Sequence, residues 1–574
     1  MSPKSKTEKY LIVLLALFTV GYIVHSMIFL KINREFNCLE TIMQGSIGRY
    51  HRIQKNPGSL WQELWNGAGP LAKERTIYEV LSLPFYSVFG VSRQAAVYVN
   101  YLLLLILLFS VYKIGSAVKD RYLGLLACFQ MLMYPAIFGF LRVYFTPLAT
   151  TAFVAFGIYC LLSSEHFRNT RKVILLLACG ILLLKLKLEK GFLYLSVPAV
   201  LYLAGSFKIN RKDPVSEKIF YRNLGIFCTG YAIFLAILAK ASPFASRLNY
   251  YLSEVRQAGN SLRITPHTFS LDTISIYAQD LFFIQVGYLG CFFLILGLFF
   301  FFKDKLRYKS ILASWILTPY MLLSAYYYFS GIHASYYTIE YLPAVALISS
   351  CGIYYLLRNS RTALLRTAIC LAYLALNLIN YVAINYYNRQ LPFYQVTRRV
   401  SFIGKPYLYS SPPTEEVYFK AAQELIDKIL SVKKRVSIVL INHYPRLLTM
   451  DNKITLYNLI KNKQVSVYDF SRSLFNLEAP DKIETLSSKM KGADLIISGN
   501  RFYPADSSAQ LKHYKQFGTV YDFSRQVRFE EEEFKKASGD FTLIKEIKNP
   551  EINISFFLNK NTEKKLSSLS PRSH

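Results

Sequence analysis

Cysteine is scarce in this sequence and concentrated in apolar stretches. Among 574 residues there are eight cysteines, and none lies beyond residue 370. They are Cys38, Cys128, Cys160, Cys179, Cys228, Cys291, Cys351 and Cys370, seven of them within apolar runs. These positions have neither the pattern of a disulfide framework nor the paired spacing of a zinc site, so the sequence excludes both as an organising feature.

Acidic residues are also few. The chain has 36 Asp and Glu against 67 Lys and Arg, which gives a formal net charge of +31. Only 18% of the residues are charged and 53% are apolar, with a mean hydropathy of +0.24. That balance excludes a soluble enzyme built of ordinary domains. The positive excess fits nucleic acid, anionic lipid or membrane topology, and its distribution along the chain decides between them.

Long apolar stretches dominate the first two thirds of the chain. A membrane-spanning helix needs about 20 apolar residues, and eleven stretches reach or approach that length. They are residues 10–30, 95–114, 123–140, 144–162, 173–186, 192–203, 224–241, 281–302, 311–329, 342–357 and 363–384. The two short ones, 173–186 and 192–203, are alternatively one bent pair meeting inside the bilayer. We predict an all-α polytopic membrane domain over residues 1–385, with a large first outward loop at 31–94.

Lys and Arg concentrate in alternate connections between these stretches. The basic segments precede residue 10 and lie at 113–121, 168–172, 208–218, 303–309 and 358–366. Because cytoplasmic loops carry such an excess, the N-terminus is predicted to be cytoplasmic. The bend at Arg142, the tip at 187–190 and the C-terminal part then face outward, in a multi-pass protein of the cell inner (plasma) membrane.

The C-terminal part has ordinary composition and predicts a small extracytoplasmic α/β domain at 386–563. Its expected buried strands are 436–442, 465–470, 493–500 and 518–523, with helices near 415–430 and 481–491 and a closing antiparallel pair. The pentapeptide YDFSR occurs twice, at 468–472 and 521–525. It suggests a repeated strand-to-loop turn, or alternatively a sugar or phosphate contact. Residues 564–574 are expected to be a disordered tail.

Charges beside the apolar stretches single out candidate functional residues. Lys185, Lys187, Glu189 and Lys190 together would cost on the order of 10 kcal/mol if they faced lipid. On one helix Glu189 would neutralise Lys185, and Lys187 and Lys190 would share another face. Snorkelling of the lysines at a helix end is the alternative. Glu79 lies in an apolar run and is expected to face protein or water.

A resemblance to a known family is carried by four stretches: PFYSVFGVSRQAAVYVNYLLLLILLFSVYKIG at 84–115, DRYLGLLACFQMLMYPAIFGFLRVYFTPLA at 120–149, ACGILLLKLKLEKGFLYLSVP at 178–198 and HASYYTIEYLPAVALISSCGI at 333–353. In this order they resemble the C-type (GT-C) polyprenyl-phosphate-sugar-dependent glycosyltransferases, the group of protein O-mannosyltransferases and lipid A aminoarabinose transferases. The resemblance covers roughly residues 10 to 385.

This resemblance implies a site. A carboxylate of the first outward loop would act as general base on an acceptor hydroxyl, with Glu35 as first choice and Glu40 as second. Cations and hydrogen-bond donors would stabilise the departing lipid phosphate. The candidates for that role are Arg142, Lys187, Lys190, His333 and Tyr337. An acid common in the family after the third helix is replaced here by Phe145 or Thr146.

The predicted function is transfer of a sugar from a polyprenyl-phosphate carrier to an extracytoplasmic lipid, glycan or protein acceptor. Membrane lipids are the other expected partners, and no nucleic acid is expected. No cofactor is expected, and without a DxD motif in the first loop metal dependence is not supported. The alternatives are a transporter or flippase, which predicts internal repeats that the sequence lacks, a non-catalytic glycan-binding relative, and an O-antigen ligase or acyltransferase.

Overall fold

The computed structural model describes most of the apolar part of the chain and the framework of the C-terminal part. The described residues are 6–32, 40–59, 63, 76–241, 271–330, 335–387, 389–390, 394–395, 413–442, 464–469, 489–500, 538–548 and 553–568. They fall into two compact units, Met1–Ile42 with Arg49–Tyr409, and Met43–Gly48 with Ser410–His574. The predicted domain boundary after residue 385 stays a prediction.

The described helices up to residue 387 are labelled α1 to α15 in chain order. They are α1 Lys6–Ile32, α2 Glu40–Lys55, α3 Thr76–Phe89, α4 Arg93–Val118, α5 Arg121–Met133, α6 Pro135–Leu141, α7 Pro147–Leu162, α8 Thr170–Leu186, α9 Leu188–Asn210, α10 Pro214–Ala241, α11 Leu271–Asp280, α12 Gly287–Lys303, α13 Lys309–Ser330, α14 Leu342–Asn359 and α15 Ala363–Tyr387. Helix or helical turn covers most of each predicted apolar stretch, because a chain in hydrocarbon must satisfy its backbone hydrogen bonds internally.

Five of the described helices are long and apolar enough to cross a membrane. These are Tyr10–Lys31, Arg93–Val118, Pro214–Ala236, Tyr337–Asn359 and Ala363–Asn385, and there are seven if each of two bent pairs is one span. The first unit is therefore that of a multi-pass membrane protein. The count of eleven spans stays a prediction.

Two breaks produce the bent pairs. Helices α5 and α6 meet at 66°, and the segment Ser275–Gln285 meets α12 at 117°. The first break falls before Pro135, which lacks the N–H needed to continue a helix and fits the first helical position. The second falls at Gly287, which has a φ of 71°. Glycine adopts such a positive φ at little cost.

The residues 173–203 form two separate helices. Lys187 separates α8 from α9 with an extended backbone at φ −166° and ψ 104°. Helix α9 has 23 residues, about 34 Å at 1.5 Å per residue. Because the break lies at Lys187, the helical spacings expected from Lys185 to Glu189 and from Lys187 to Lys190 do not exist. That expectation was wrong.

Glycines allow two helix pairs to pack backbone against backbone. A Cβ at Gly297 on α12 would lie 2.0 Å from the carbonyl oxygen of Ile348 on α14. A Cβ at Gly115 on α4 would lie 2.5 Å from the Cα of Gly124 on α5. Small residues at such crossings let membrane helices gain van der Waals contact where hydrophobic driving force between helices is absent.

In the described part of the second unit, five strands form one sheet. They are β3 Val436–Asn442, β4 Val465–Asp469, β5 Leu495–Asn500, β6 Phe541–Lys548 and β7 Asn553–Asn559, and the short hairpin β1 Arg389–Gln390 with β2 Tyr394–Gln395 belongs to the first unit. The strand order is β4-β3-β5-β7-β6. Strand β3 pairs in parallel with β4 and β5, and β7 pairs antiparallel with β5 and β6.

These strands confirm the predicted strands at 436–442, 465–470 and 493–500 and the closing antiparallel pair. Near-continuous apolar runs in β3 and β5 suit strands that are covered on both faces. Helix α16 Pro413–Val432 packs against the sheet through side chains such as Ala422 and Ile426. The predicted strand 518–523 and the second YDFSR copy lie outside the described residues.

The tail predicted to be disordered is partly ordered. Helix α17 Lys560–Ser567 includes its first residues. Asn559 caps this helix, and the hydroxyl of Thr562 donates to Asp494 over 3.0 Å. The cap and the buried hydrogen bond explain why the chain continues past residue 563 as a helix. Residues 569–574 lie outside the described residues.

Candidate functional site

The turn between α6 and α7, residues 142–146, is held by a buried amide on a neighbouring helix. The Nδ2 of Asn100 donates to the carbonyl oxygens of Phe140, Leu141 and Val143 over 3.1, 3.3 and 2.8 Å. Its Oδ1 accepts from the hydroxyl of Tyr78 over 2.8 Å. The amide group of one side chain, with two N–H donors, is thus shared among three carbonyl oxygens at the end of α6 and in the turn.

Arg142, the first residue of this turn, is fully buried. Its Nη1 donates to Oδ1 of Asn385, and its Nη2 donates to the hydroxyl of Tyr381 over 3.1 Å. The same Nη2 lies 3.4 Å from Nδ1 of His25. The guanidinium stands over the ring of Phe29 with its carbon 4.0 Å from the ring centre. We call Arg142, His25, Tyr381, Asn385 and Phe29 the arginine cluster.

Every member of the arginine cluster other than Arg142 offers a neutral contact. No acidic side chain among the described residues lies within ion-pair distance of the guanidinium, and its buried Nε has no hydrogen-bond partner among them. A buried charge without a counter-charge costs several kcal/mol. The cation–π contact with Phe29 stabilises the guanidinium by only about 2 kcal/mol, which does not offset this cost. The arrangement therefore suits an anionic ligand that supplies the missing charge.

A second buried cation, Lys190, has an acidic partner. Its Nζ lies 2.8 Å from Oε2 of Glu340, and the two side chains are 2% and 1% exposed. The Nζ also donates to the carbonyl oxygen of Tyr337. Glu340 accepts in addition from Thr150 over 2.6 Å through Oε1, and its carbonyl oxygen accepts from Nε1 of Trp315 over 3.0 Å. We call these five residues the lysine cluster.

Lys187 joins the edge of the lysine cluster. Its Nζ lies 5.0 Å from the ring centre of Tyr337, and the Nζ of Lys190 lies 5.5 Å from the same ring. The carbonyl oxygen of Tyr337 accepts a further hydrogen bond from Tyr194. The two lysines thus meet at one aromatic ring, although they do not share a helix face.

Glu79 confirms the expectation that it faces protein or water. Its carboxylate lies 2.6 Å from Nε of the buried Arg49. Arg49 also pairs with Glu63 over 2.9 Å, and Glu63 pairs with the half-exposed Arg52 over 2.6 Å. The hydrogen bond from Arg52 holds the pKa of Glu63 below its ordinary value, against the opposing effect of burial. Arg49 therefore differs from Arg142, because two carboxylates neutralise it.

The structure describes five of the seven predicted site residues, four of them with their side chains. Lys187, Lys190 and Tyr337 lie together, and Arg142 belongs to a separate cluster. Glu40 is the first residue of α2, and nothing is described of its side chain. Glu35 and His333 lie outside the described residues, so their roles stay predictions.

Seven residues of the two clusters were not singled out from the sequence, and four of them are polar residues of α1, of α15 or of the segment before α14. Glu340 and His25 are polar residues in or beside apolar stretches, and the cost of such residues in a membrane was a usable signal. Tyr381 and Asn385 are four residues apart near the end of α15, but uncharged residues at that spacing carry no signal of their own.

No group of three or more His, Cys, Asp or Glu side chains in the described part of the chain is arranged to hold a metal ion. The expectations that the protein needs neither metal nor cofactor stay predictions.

The chain has a GT-C-like fold, as the sequence resemblance predicted. One similar solved structure is ArnT from Cupriavidus metallidurans bound to undecaprenyl phosphate, with a TM-score of 0.55 and 8% identity over 95% of this chain and 97% of that chain. ArnT from the same organism in the apo state has a TM-score of 0.51 at 8% identity, covering 94% and 98%. At this identity the likeness concerns the fold alone.

Other comparisons are weaker or negative. The oligosaccharyltransferase AglB from Archaeoglobus fulgidus has a TM-score of 0.43 and 12% identity over 87% of this chain and 70% of that chain, too low a score to support an argument. No protein-family model matches the sequence, and no curated protein does.

Proposed function

We propose that the protein is an integral-membrane glycosyltransferase that moves a sugar from a polyprenyl-phosphate carrier to an extracytoplasmic lipid, glycan or protein acceptor. The observation that carries the proposal is Arg142, a fully buried guanidinium with neutral partners only among the described residues. In a fold shared with a protein solved with undecaprenyl phosphate bound, a lipid phosphate is the anion that best supplies the missing charge.

The reaction requires few functional groups. The oxygen of an acceptor hydroxyl bonds to the anomeric carbon of the sugar, and its proton passes to a carboxylate, for which we propose Glu35 first and Glu40 second. The bond from the anomeric carbon to the phosphate oxygen breaks, and that oxygen keeps the electron pair. The carrier phosphate gains negative charge in this step, and a preorganised cation such as Arg142 stabilises it where water is excluded.

We propose different roles for the remaining cations. Lys187 contacts the ring of Tyr337 and is half-buried, and its proposed role is to add a second positive charge near the phosphate. Lys190 is already neutralised by Glu340, and we assign it to positioning the segment that carries Tyr337. His333 follows α13 in the chain and is retained as a further hydrogen-bond donor to the phosphate.

The proposal is tested with purified protein in proteoliposomes, a labelled polyprenyl-phosphate sugar and a cell-envelope lipid fraction as acceptor source. Arg142→Gln should lower product formation at least about a hundredfold, as loss of one preorganised group at a developing charge does elsewhere. Arg361→Gln is the matched control, because Arg361 is exposed on the loop between α14 and α15. Equal activity of Arg142→Gln and the wild type would refute the assignment of Arg142.

The same assay separates the other functional classes. Movement of the lipid-linked sugar across the bilayer without a covalent product would indicate a transporter. Binding without turnover would indicate a non-catalytic relative. Glu35→Gln and Glu40→Gln, compared side by side, should identify the base by the variant that loses turnover while it still binds carrier.

A further inference from the structure

His25 is the one ionisable group of ordinary neutral-range pKa in the arginine cluster. It lies in the apolar helix α1 and is half-buried. Its Nδ1 lies 2.7 Å from the hydroxyl of Tyr381 and 3.4 Å from Nη2 of Arg142. A histidine is thus in direct contact with the guanidinium that we assign to the carrier phosphate.

Hydrogen-bond chemistry defines the state of this histidine. A guanidinium has donors only, so Nδ1 of His25 faces Arg142 as an acceptor and carries no proton. The hydroxyl of Tyr381 accepts from Arg142 and donates to the same Nδ1. An imidazolium at this place would put a second positive charge beside a buried cation, which is unfavourable at low dielectric. These contacts are those of a neutral imidazole at His25.

A bound phosphate would reverse this balance. The negative charge that neutralises Arg142 also removes the repulsion felt by a proton on His25. The sugar-bearing carrier and the carrier without its sugar differ in charge. The first is a phosphodiester with one negative charge, and the second is a phosphomonoester that approaches two negative charges above about pH 6. The monoester is the product that remains when the sugar has left.

We propose that His25 takes up a proton from solvent when a polyprenyl monophosphate occupies the site at Arg142, so that binding of the spent carrier is coupled to proton uptake. This inference rests on the proposed function. It makes His25 a positioning and charge-compensating residue that distinguishes the monoester from the sugar-bearing diester. No bond is made or broken in the step, and the proton moves from water to the imidazole.

The surroundings of His25 leave few competing charges among the described residues. The turn after α6 contributes Arg142, α15 contributes Tyr381, and α4 contributes Tyr101 near Ser26. On α1 itself Tyr22 packs against Tyr381, with ring centres 5.7 Å apart. Phenols ionise near pH 10, so between about pH 6 and pH 8 the described groups that change or carry charge here are His25 and Arg142.

The test measures binding of undecaprenyl phosphate to purified full-length protein in nanodiscs by titration calorimetry, in buffers of different ionisation enthalpy. For the wild type the observed enthalpy should depend on the buffer, which reports proton uptake. The affinity should rise as the pH is lowered from about 8 to about 6, by up to about tenfold per pH unit where a full proton is taken up. His25→Asn should remove both effects, so that the binding enthalpy no longer depends on the buffer and the affinity no longer rises as the pH is lowered.

His166→Asn is the matched control. His166 is also half-buried, and its ring stacks on Tyr202 with centres 5.6 Å apart. It lies in the turn between α7 and α8, away from Arg142 in the hydrogen-bond network. This variant should retain the proton uptake of the wild type.

The outcomes are separable. Wild-type protein that does not bind undecaprenyl phosphate at any pH contradicts the proposed function. Binding with unchanged proton uptake in His25→Asn overturns the inference about His25 and leaves the function standing. If His25→Asn does not fold, His25→Gln replaces it, because the amide oxygen of glutamine can accept from Arg142 in the same way, and persistent proton uptake in that variant also overturns the inference.

Discussion

The arginine cluster and the lysine cluster each bury one cation, but only the cation of the lysine cluster has a carboxylate partner among the described residues. Lys190 has a carboxylate partner that is itself hydrogen-bonded to Thr150. Arg142 has an amide, a hydroxyl, an imidazole and an aromatic face. A cation paired with a carboxylate holds parts of a protein together, whereas one with no acidic partner in the described part of the chain is proposed to meet a ligand. The comparison predicts that the two clusters respond differently to substitution.

The largest effect is expected on stability in the lysine cluster. Glu340→Gln keeps the side-chain shape but leaves Lys190 buried and unpaired, which should cost about 3–5 kcal/mol. Adding Lys190→Met should recover most of that loss, because no unpaired charge remains. The measurement is the thermal unfolding midpoint in detergent.

The pair Lys119–Asp304 is the control for this prediction. It has a similar distance of 2.7 Å, but its side chains are 21% and 19% exposed. Asp304→Asn should therefore lower the midpoint much less than Glu340→Gln. Similar losses in the two variants would show that burial does not distinguish the pairs.

The next effect concerns the turn that carries Arg142. Asn100→Ala removes the amide donor that is shared among three buried carbonyl oxygens and should cost about 1–3 kcal/mol. Because the turn then loses its shape, the variant should also raise the KM for the lipid-linked donor. Asn377→Ala is the control, since its Nδ2 donates only to the carbonyl of Tyr373 on its own helix. A stability loss without any change in KM would show that Asn100 stabilises the fold but does not shape the donor-binding site.

A smaller effect is expected at Tyr381. Tyr381→Phe removes the hydroxyl that lies between Arg142 and His25 and should change stability by only about 1 kcal/mol. It should weaken the pH dependence of carrier binding while Arg142 continues to bind phosphate. Titration calorimetry at about pH 6 and pH 8 measures this. An unchanged pH profile would mean that the Tyr381 hydroxyl does not couple the protonation of His25 to phosphate binding at Arg142.

The smallest effect extends the comparison to the partly exposed acid Glu63. Its pKa is lowered in the folded protein by the hydrogen bond from Arg52, so its stabilising contribution is present above the pKa of the unfolded carboxyl, about 4.3. That contribution is lost as the pH falls through the lower folded value. The unfolding midpoint of the wild type should therefore fall more on acidification than that of Glu63→Gln.

Glu424→Gln serves as the reference here, because Glu424 is 68% exposed and lies 3.7 Å from Lys545. It should show the acid response of the wild type. If Glu63→Gln shows that same acid response, the hydrogen bond between Glu63 and Arg52 does not contribute to the pH dependence of stability.

Much of the fold was predictable because it depends on local pattern. Apolar runs of membrane length predict helices wherever they occur, and the buried strand β3 was predicted over its full extent at 436–442. The break at Lys187 was not predicted, because nothing in the apolar pattern distinguishes an extended residue from a helical one there. Of the candidate site, Arg142, Lys187, Lys190 and Tyr337 were predicted through the cost of charge near lipid and through family resemblance.

The sequence by itself determined which segments are apolar enough to be helices and which residues are charged among them. Only the tertiary structure decided which charges are neutralised. Lys190 meets Glu340 across 150 positions of the chain, and Arg142 meets Asn385 across 243. Electrostatic pairing depends on distances of a few ångströms between side chains, and such distances between remote segments are set by helix packing rather than by local pattern.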